Sequence, residues 1–206
     1  MSVVLITGGI GSGKSEVCRI LKDDYGLPCY NADSRVKELY ISNLSLLTDI
    51  EDSLGLSLRD AEGNFLPWVL ADRIFTSDDA LRKVESLVFP VLADDFKKWQ
   101  SEQDSDILIL ESATALEKES LAWMYDKVVV VDAPFDLRLS RACSRDCSKK
   151  EKVLQRMHAQ VLMNKISEGY DDYRVDFLLD NISDLEDLKS KVAELVDIIL
   201  YNKKVK

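Results

Sequence analysis

The run Gly8-Gly9-Ile10-Gly11-Ser12-Gly13-Lys14-Ser15 constrains this chain more than any other stretch. It follows a short apolar run, Val3-Val4-Leu5-Ile6, and precedes residues in which Val17, Ile20 and Leu21 share one helical face. A strand, a glycine turn, then lysine and serine opening a helix is the setting of a phosphate-binding loop, G-x-x-x-x-G-K-S. Gly8, Gly11 and Gly13 let the backbone turn tightly and aim successive N–H groups into one concavity, where a side chain would intrude. The helix that begins near Lys14 adds the positive end of its dipole. Lys14 can reach the β- and γ-phosphates of a nucleoside triphosphate, and the Ser15 hydroxyl can ligate Mg²⁺. A dinucleotide-binding G-x-G-x-x-G does not read here, because Lys14 stands three after Gly11 and Glu16 three after Gly13. The bland alternative is a glycine turn that binds nothing.

The chain has 206 residues, enough for one α/β domain with insertions and for a core that needs no disulfides. It opens directly on a strand, so no signal peptide is expected. Its apolar runs fall short of the roughly twenty residues a membrane span needs. Cys18, Cys29, Cys143 and Cys147 make no secreted framework, so reduced thiols in a cytoplasmic protein are expected. A zinc site at Cys143 and Cys147 would need two more ligands, and the single histidine, His158, supplies at most one. The net charge of −10 argues against a broad nucleic-acid surface. An anionic ligand then needs local positive charge, and residues 137–156 hold seven basic residues against two acidic ones.

Along the chain, Leu27 to Tyr30 reads as a short strand that ends in Asn31-Ala32-Asp33. In an open parallel sheet the carboxyl ends of strands face the ligand crevice, so Asp33 is placed to accept a hydroxyl proton. It reads equally well as the cap of a helix starting at Ser34. Residues 34–99 look helical, with helices at 44–54, 70–75 and 81–99, the last interrupted at Pro90. Trp68, Phe75, Phe89, Phe96 and Trp99 are the expected core of that lobe. Ile107 to Leu110 is a buried strand ending in Glu111, where a Walker-B-like acid would stand near the metal. Lys127 to Val131 is a second apolar strand, followed by a helix from Phe135 to Cys143 and another from Glu151 to Met163. Arg138, Arg141 and Arg145 are spaced three and four apart and share one face if the helix runs that far. A basic turn between two helices reads as a lid over ATP, or as an ordinary solvated face. Asp176 to Asn181 is a last strand, and Leu185 to Tyr201 an amphipathic closing helix. Lys203 to Lys206 reads as a frayed basic tail.

These residues resemble the dephospho-CoA kinase family over most of the chain. The likeness is strongest in Thr7-Gly8-Gly9-Ile10-Gly11-Ser12-Gly13-Lys14-Ser15. Asn31-Ala32-Asp33, Val128 to Ala133, Arg138-Leu139-Ser140-Arg141 with Arg145-Asp146, Arg156 to Gln160 and Asp176 to Asn181 match further family segments. The resemblance implies an α/β, three-layer P-loop fold with a five-stranded parallel sheet. It implies one kinase domain over 1–206, with an inserted helical acceptor lobe at 34–99 and a lid at 137–156. The implied activity is transfer of the ATP γ-phosphoryl to the 3′-hydroxyl of dephospho-CoA, the last step of coenzyme A synthesis, with Mg²⁺. Gly11, Ser12, Gly13, Lys14, Ser15 and Glu16 then bind the ATP phosphates, Ser15 also the metal, and Asp33 is the base. Arg141 and Arg145 are lid arginines, and Asn181 lies where the family holds the adenine.

The departures fall on the acceptor side. Phe89-Pro90 stands where the family has His-Pro, Leu66 and Pro67 where it has Asp-Arg, and Ala113 where its Asp-x-Pro-Leu-Leu-Phe-Glu has proline. The expected partners are therefore ATP and dephospho-CoA, with no nucleic acid and no membrane. The alternatives are a nucleoside or nucleotide kinase, a paralogue acting on another acceptor, and a non-catalytic ATP-binding regulator.

Overall fold

The structure is a computed structural model that describes residues 1–146, 150–167 and 174–201. Cys147, Lys149 and the basic tail lie outside the described residues. The described chain divides into two compact units, one of residues 1–30 with 104–206 and one of residues 31–103.

The first unit is built on five strands: β1 (Ser2–Thr7), β2 (Cys29–Asn31), β3 (Ile107–Glu111), β4 (Lys127–Asp132) and β5 (Phe177–Asp180). Their order is β2-β3-β1-β4-β5, parallel throughout. β1, β3 and the body of β4 are continuous apolar runs, buried along nearly their whole length. Strands covered on both faces take the centre of a parallel sheet. The register pairs Ile6 with Glu111, so β1 and β3 end within a residue of each other, and Thr7 with Val130, so β4 runs two residues further. β5 is an edge strand in which Leu179 is buried between exposed neighbours.

α1 (Lys14–Asp23) and α9 (Leu185–Tyr201) pack together over one sheet face. Val17, Ile20 and Leu21 of α1 and Leu188, Val192 and Leu195 of α9 join Val4, Ile6, Ile109, Val129 and Val131 in one core. α6 (Phe135–Asp146) and α7 (Lys150–His158) close a smaller cluster of Leu139, Ala142, Val153 and Met157. α8 (Val161–Ser167) follows.

The second unit holds α2 (Ala32–Ser42), α3 (Leu44–Leu54), α4 (Pro67–Thr76) and α5 (Asp78–Ser101). α5 does not stop at Pro90 as the sequence led us to expect. Pro90 is exposed, while Val84, Val88, Leu92 and Phe96 make an unbroken buried stripe either side of it. Burial of that stripe against α3 and α4 outweighs the roughly 3 kcal/mol of an internal proline. A second correction concerns the aromatic residues. Trp68 and Phe75 are 66% and 68% exposed, not core. They share one face of α4, and Leu70, about 200° round the helix, takes the inward position. Phe96 is buried and stacks on Trp99 with ring centroids 5.8 Å apart.

Candidate active site

The loop between β1 and α1 takes the shape its glycines allow. Gly13 caps α1 in the left-handed conformation, and no side chain satisfies the helix start. That leaves first-turn N–H groups available to an anion. Gly11 is also left-handed, and a Cβ there would meet the backbone oxygen of Arg138. A Cβ on Gly13 would meet the Asn181 carboxamide. The loop is thus held from outside by neighbours that tolerate no side chain at these positions.

Those neighbours are specific. Asn181, just past β5, donates from Nδ2 to the Ser12 carbonyl at 2.8 Å and from its backbone N–H to Asp132 O at 2.7 Å. Arg141 Nη1 donates to the Asn181 carbonyl at 2.9 Å. Gln160 accepts from the Ile10 N–H at 2.7 Å. Asn181 therefore sits beside the loop and grips it. Gln160 was not singled out by the sequence reading; its glutamine, set in a segment already matched to the family, carries no spacing signal of its own.

The reactive side chains occupy the loop's inner side. Lys14 Nζ folds back on the Gly8 and Gly9 carbonyls at 2.8 and 3.2 Å. Ser15 Oγ donates to Glu111 Oε1 at 2.6 Å, which brings the strand-end acid to the expected metal residue. Among the described residues no group of three or more histidine, cysteine or acidic side chains could hold a metal. Mg²⁺ needs no such group, since it keeps waters and takes phosphate oxygens beside one or two protein ligands. The Ser15–Glu111 pair fits that donor set.

Four of the five buried polar atoms left without partners among the described residues belong to the loop, the end of β1 and Arg138. The five are Thr7 Oγ1, Ser12 Oγ, Arg138 Nε and Nη1, and Asn164 Oδ1. Thr7 ends β1, Ser12 is in the loop, and Arg138 lies against Gly9. Buried polar groups are ordinarily paired, so orphans around one concavity point to a ligand.

Other expected site residues lie elsewhere. Glu16 extends from α1 and pairs with Arg19, whose hydrogen bond holds the Glu16 carboxyl below its usual range. Its backbone N–H is bonded to Gly13 O at 3.0 Å. Arg145 is exposed and bonded to Asp146 at 2.7 Å, which also accepts from Arg156 at 2.8 Å. Asp33 is in the first turn of α2, which starts at Ala32. The cap is Asn31, whose side-chain oxygen accepts from Ser34 N at 2.8 Å, so the capping role expected of Asp33 is corrected.

The chain matches the dephospho-CoA kinase family over residues 2–187. It belongs to that family. It is 37% identical over 175 residues to the dephospho-CoA kinase of Porphyromonas gingivalis, covering 85% of each chain. It is 31% identical over 197 residues to that of Bacteroides fragilis, covering 95% of this chain and 90% of the relative. Its fold is that of the dephospho-CoA kinase of Campylobacter jejuni, with a TM-score of 0.66 at 22% identity, covering 97% of this chain and 98% of that one. Membership makes the chain a transferase of coenzyme A biosynthesis, a kinase whose phosphoryl donor is ATP. No helix among the described residues is long and apolar enough to cross a membrane.

Proposed function

We propose that this kinase transfers the ATP γ-phosphoryl to the 3′-hydroxyl of dephospho-CoA through the residues around its glycine loop. The observation that carries the reading is the set of buried donors without partners beside Lys14, within a chain of this family. Backbone N–H groups of Gly11 and Gly13 and the open start of α1 hold the phosphates, while the Ser12 N–H, bonded to Gly9 O at 3.1 Å, shapes the loop. Lys14 exchanges the Gly8 and Gly9 carbonyls for phosphate oxygens and neutralises charge as the phosphoryl group leaves. Ser15, with Glu111 bonded to it, would hold Mg²⁺, which when bound supplies further neutralisation of the bridging phosphate oxygens.

Asp33 takes the proton from the acceptor hydroxyl. Two facts support that role: it follows the carboxyl end of β2 by two residues, and Asn31 relieves it of capping. Arg141, tied to the Asn181 carbonyl, places positive charge beside the loop. Arg145 joins it when its bond to Asp146 is exchanged for phosphate. Residues 137–156 act in this way as a lid.

The test is ADP release measured with ATP alone, then with dephospho-CoA, then with a panel of nucleosides and nucleotides. Stimulation by dephospho-CoA and not by the panel is expected. Slow release that no acceptor stimulates would sink the reading, and stimulation by a panel member would reassign the acceptor.

A further inference from the structure

Arg138 is the least expected residue of the loop's surroundings. The residue is 2% exposed, although it belongs to the basic segment of an acidic chain. A Cβ built on Gly9 would collide with Nη1 and approach Cζ to 3.0 Å, so the guanidinium lies flush against the loop. Its own backbone locks it there. The Arg138 N–H donates to Pro134 O at 3.0 Å, and its carbonyl abuts Gly11. Cζ stands 5.7 Å from the Phe135 ring centroid.

Among the described residues neither Nε nor Nη1 has a hydrogen-bond partner. Leaving two buried guanidinium nitrogens without a hydrogen-bonding partner is costly in a folded chain. Burial pushes its pKa below the ordinary arginine value, against the opposing charge of Asp132. A second cation shares the neighbourhood, since Lys14 Nζ is bonded to the carbonyl of the same Gly9. Two like charges converging on one glycine of an anion-binding loop are stabilised by a ligand that is strongly anionic at that end. The lysine of such a loop serves the β- and γ-phosphates, and Arg138 shares its glycine.

We propose that Arg138 is a fixed cation of the triphosphate cradle, pre-positioned against Gly9 to donate charge-assisted hydrogen bonds to the terminal phosphates of ATP. It differs from Arg145, whose guanidinium is exposed and paired on the surface. Arg138, at the start of the same segment, already lies against the loop. The inference rests on the nucleotide reading above and deepens it. It assigns discrimination between ATP and its shorter relatives to a residue buried in the apoprotein.

The experiment is calorimetric titration of the wild type and Arg138→Met with ATP, ADP, AMP and inorganic tripolyphosphate, beside melting of each apoprotein. Methionine fills similar apolar space without charge, so the apoprotein is expected to melt no lower than wild type and up to a few degrees higher. ATP and tripolyphosphate are expected to bind about tenfold or more weakly, with AMP within about twofold of wild type. Equal weakening of all ligands, or unchanged ATP binding, would overturn the proposal and make Arg138 a packing residue. If Arg138→Met does not fold, Arg138→Gln, which keeps a polar side chain without the charge, is measured against the same panel and read by the same two criteria. The wild-type titrations separate the two readings: a wild type that binds no nucleotide sinks the nucleotide reading itself. A wild type that binds ATP, beside a variant that binds it equally well, sinks only the role of Arg138.

Discussion

The two compact units treat charge in opposite ways. Around the glycine loop, Lys14 is folded onto its own loop's carbonyls, and Arg138, Ser12 and Thr7 keep buried polar atoms without partners among the described residues. In the helical unit Arg35 and Arg59 are met from within. Arg35 makes two bonds of 2.7 Å to Asp95 and one of 2.6 Å to Glu38. Arg59 holds Glu51 and Thr48, and Glu51 also accepts the Leu58 N–H. One region keeps buried polar atoms without partners among the described residues; the other pairs its two half-buried arginines and leaves Trp68 and Phe75 in solvent. A phosphate cradle must keep its donors available, whereas a lobe of short helices gains its order by pairing its charges.

The largest effect should test whether the division of labour extends to chemistry. Asp33→Asn is expected to lower kcat by about a hundred- to ten-thousandfold and to leave ATP affinity nearly unchanged, measured by coupled ADP release and by titration. Full activity in that variant would deprive the helical unit of its chemical role. Next is Lys14→Met, expected to cost about a hundred- to a thousandfold in kcat, because it removes a cation aimed at developing charge. An unchanged rate would mean that the folded-back lysine never reaches the phosphates.

Glu111→Gln is a smaller perturbation of the same region. The amide keeps a hydrogen-bond acceptor for Ser15 but removes the charge behind it. The Mg²⁺ concentration for half-maximal rate should rise by about tenfold, with little change in apoprotein melting. No shift would exclude Glu111 from the metal's surroundings.

The helical unit should show its completeness as stability. A double-mutant cycle of Arg35→Met and Asp95→Asn is expected to give a coupling of about 1 kcal/mol, held down by the partial exposure of Arg35. The smallest effect belongs to Asp146 between α6 and α7. The hydrogen bond from Arg145 holds its carboxyl below the usual range, against burial and with help from Arg156. A depressed native pKa stabilises above the unfolded value, near 4, and that stability is lost as pH falls through the native value. Acid melting below about pH 4 should therefore be shallower in Asp146→Asn, by a few tenths of a kcal/mol. An identical acid slope would show the Asp146 clasp to be energetically silent.

Local sequence carried a large share of this. The glycine loop was legible because its function is written in backbone requirements, and only glycine meets them. The central strands were legible as apolar runs, and the closing helix spans Leu185 to Tyr201 as its periodicity indicated. Periodicity failed where a proline met a buried stripe, as at Pro90, and where aromatic content was taken for burial, as at Trp68 and Phe75. Hydrophobicity counts residues, but helical phase decides which of them face inward.

The sequence alone determined that a glycine loop of the phosphate-binding pattern lies between a strand and a helix, with Lys14 and Ser15 opening that helix. It carried the family likeness that the matched segments share. Tertiary structure decided which distant residues complete the site. Gln160 is 150 positions from Ile10, Asn181 is 169 from Ser12, and Glu111 is 96 from Ser15. Tertiary structure also separated the three arginines that one helical spacing had grouped: Arg138 buried at Gly9, Arg141 on Asn181, Arg145 on the surface. Spacing along a helix fixes direction relative to the helix axis. Burial and partnership depend on what the fold packs against each face, and short-range pattern holds no record of that.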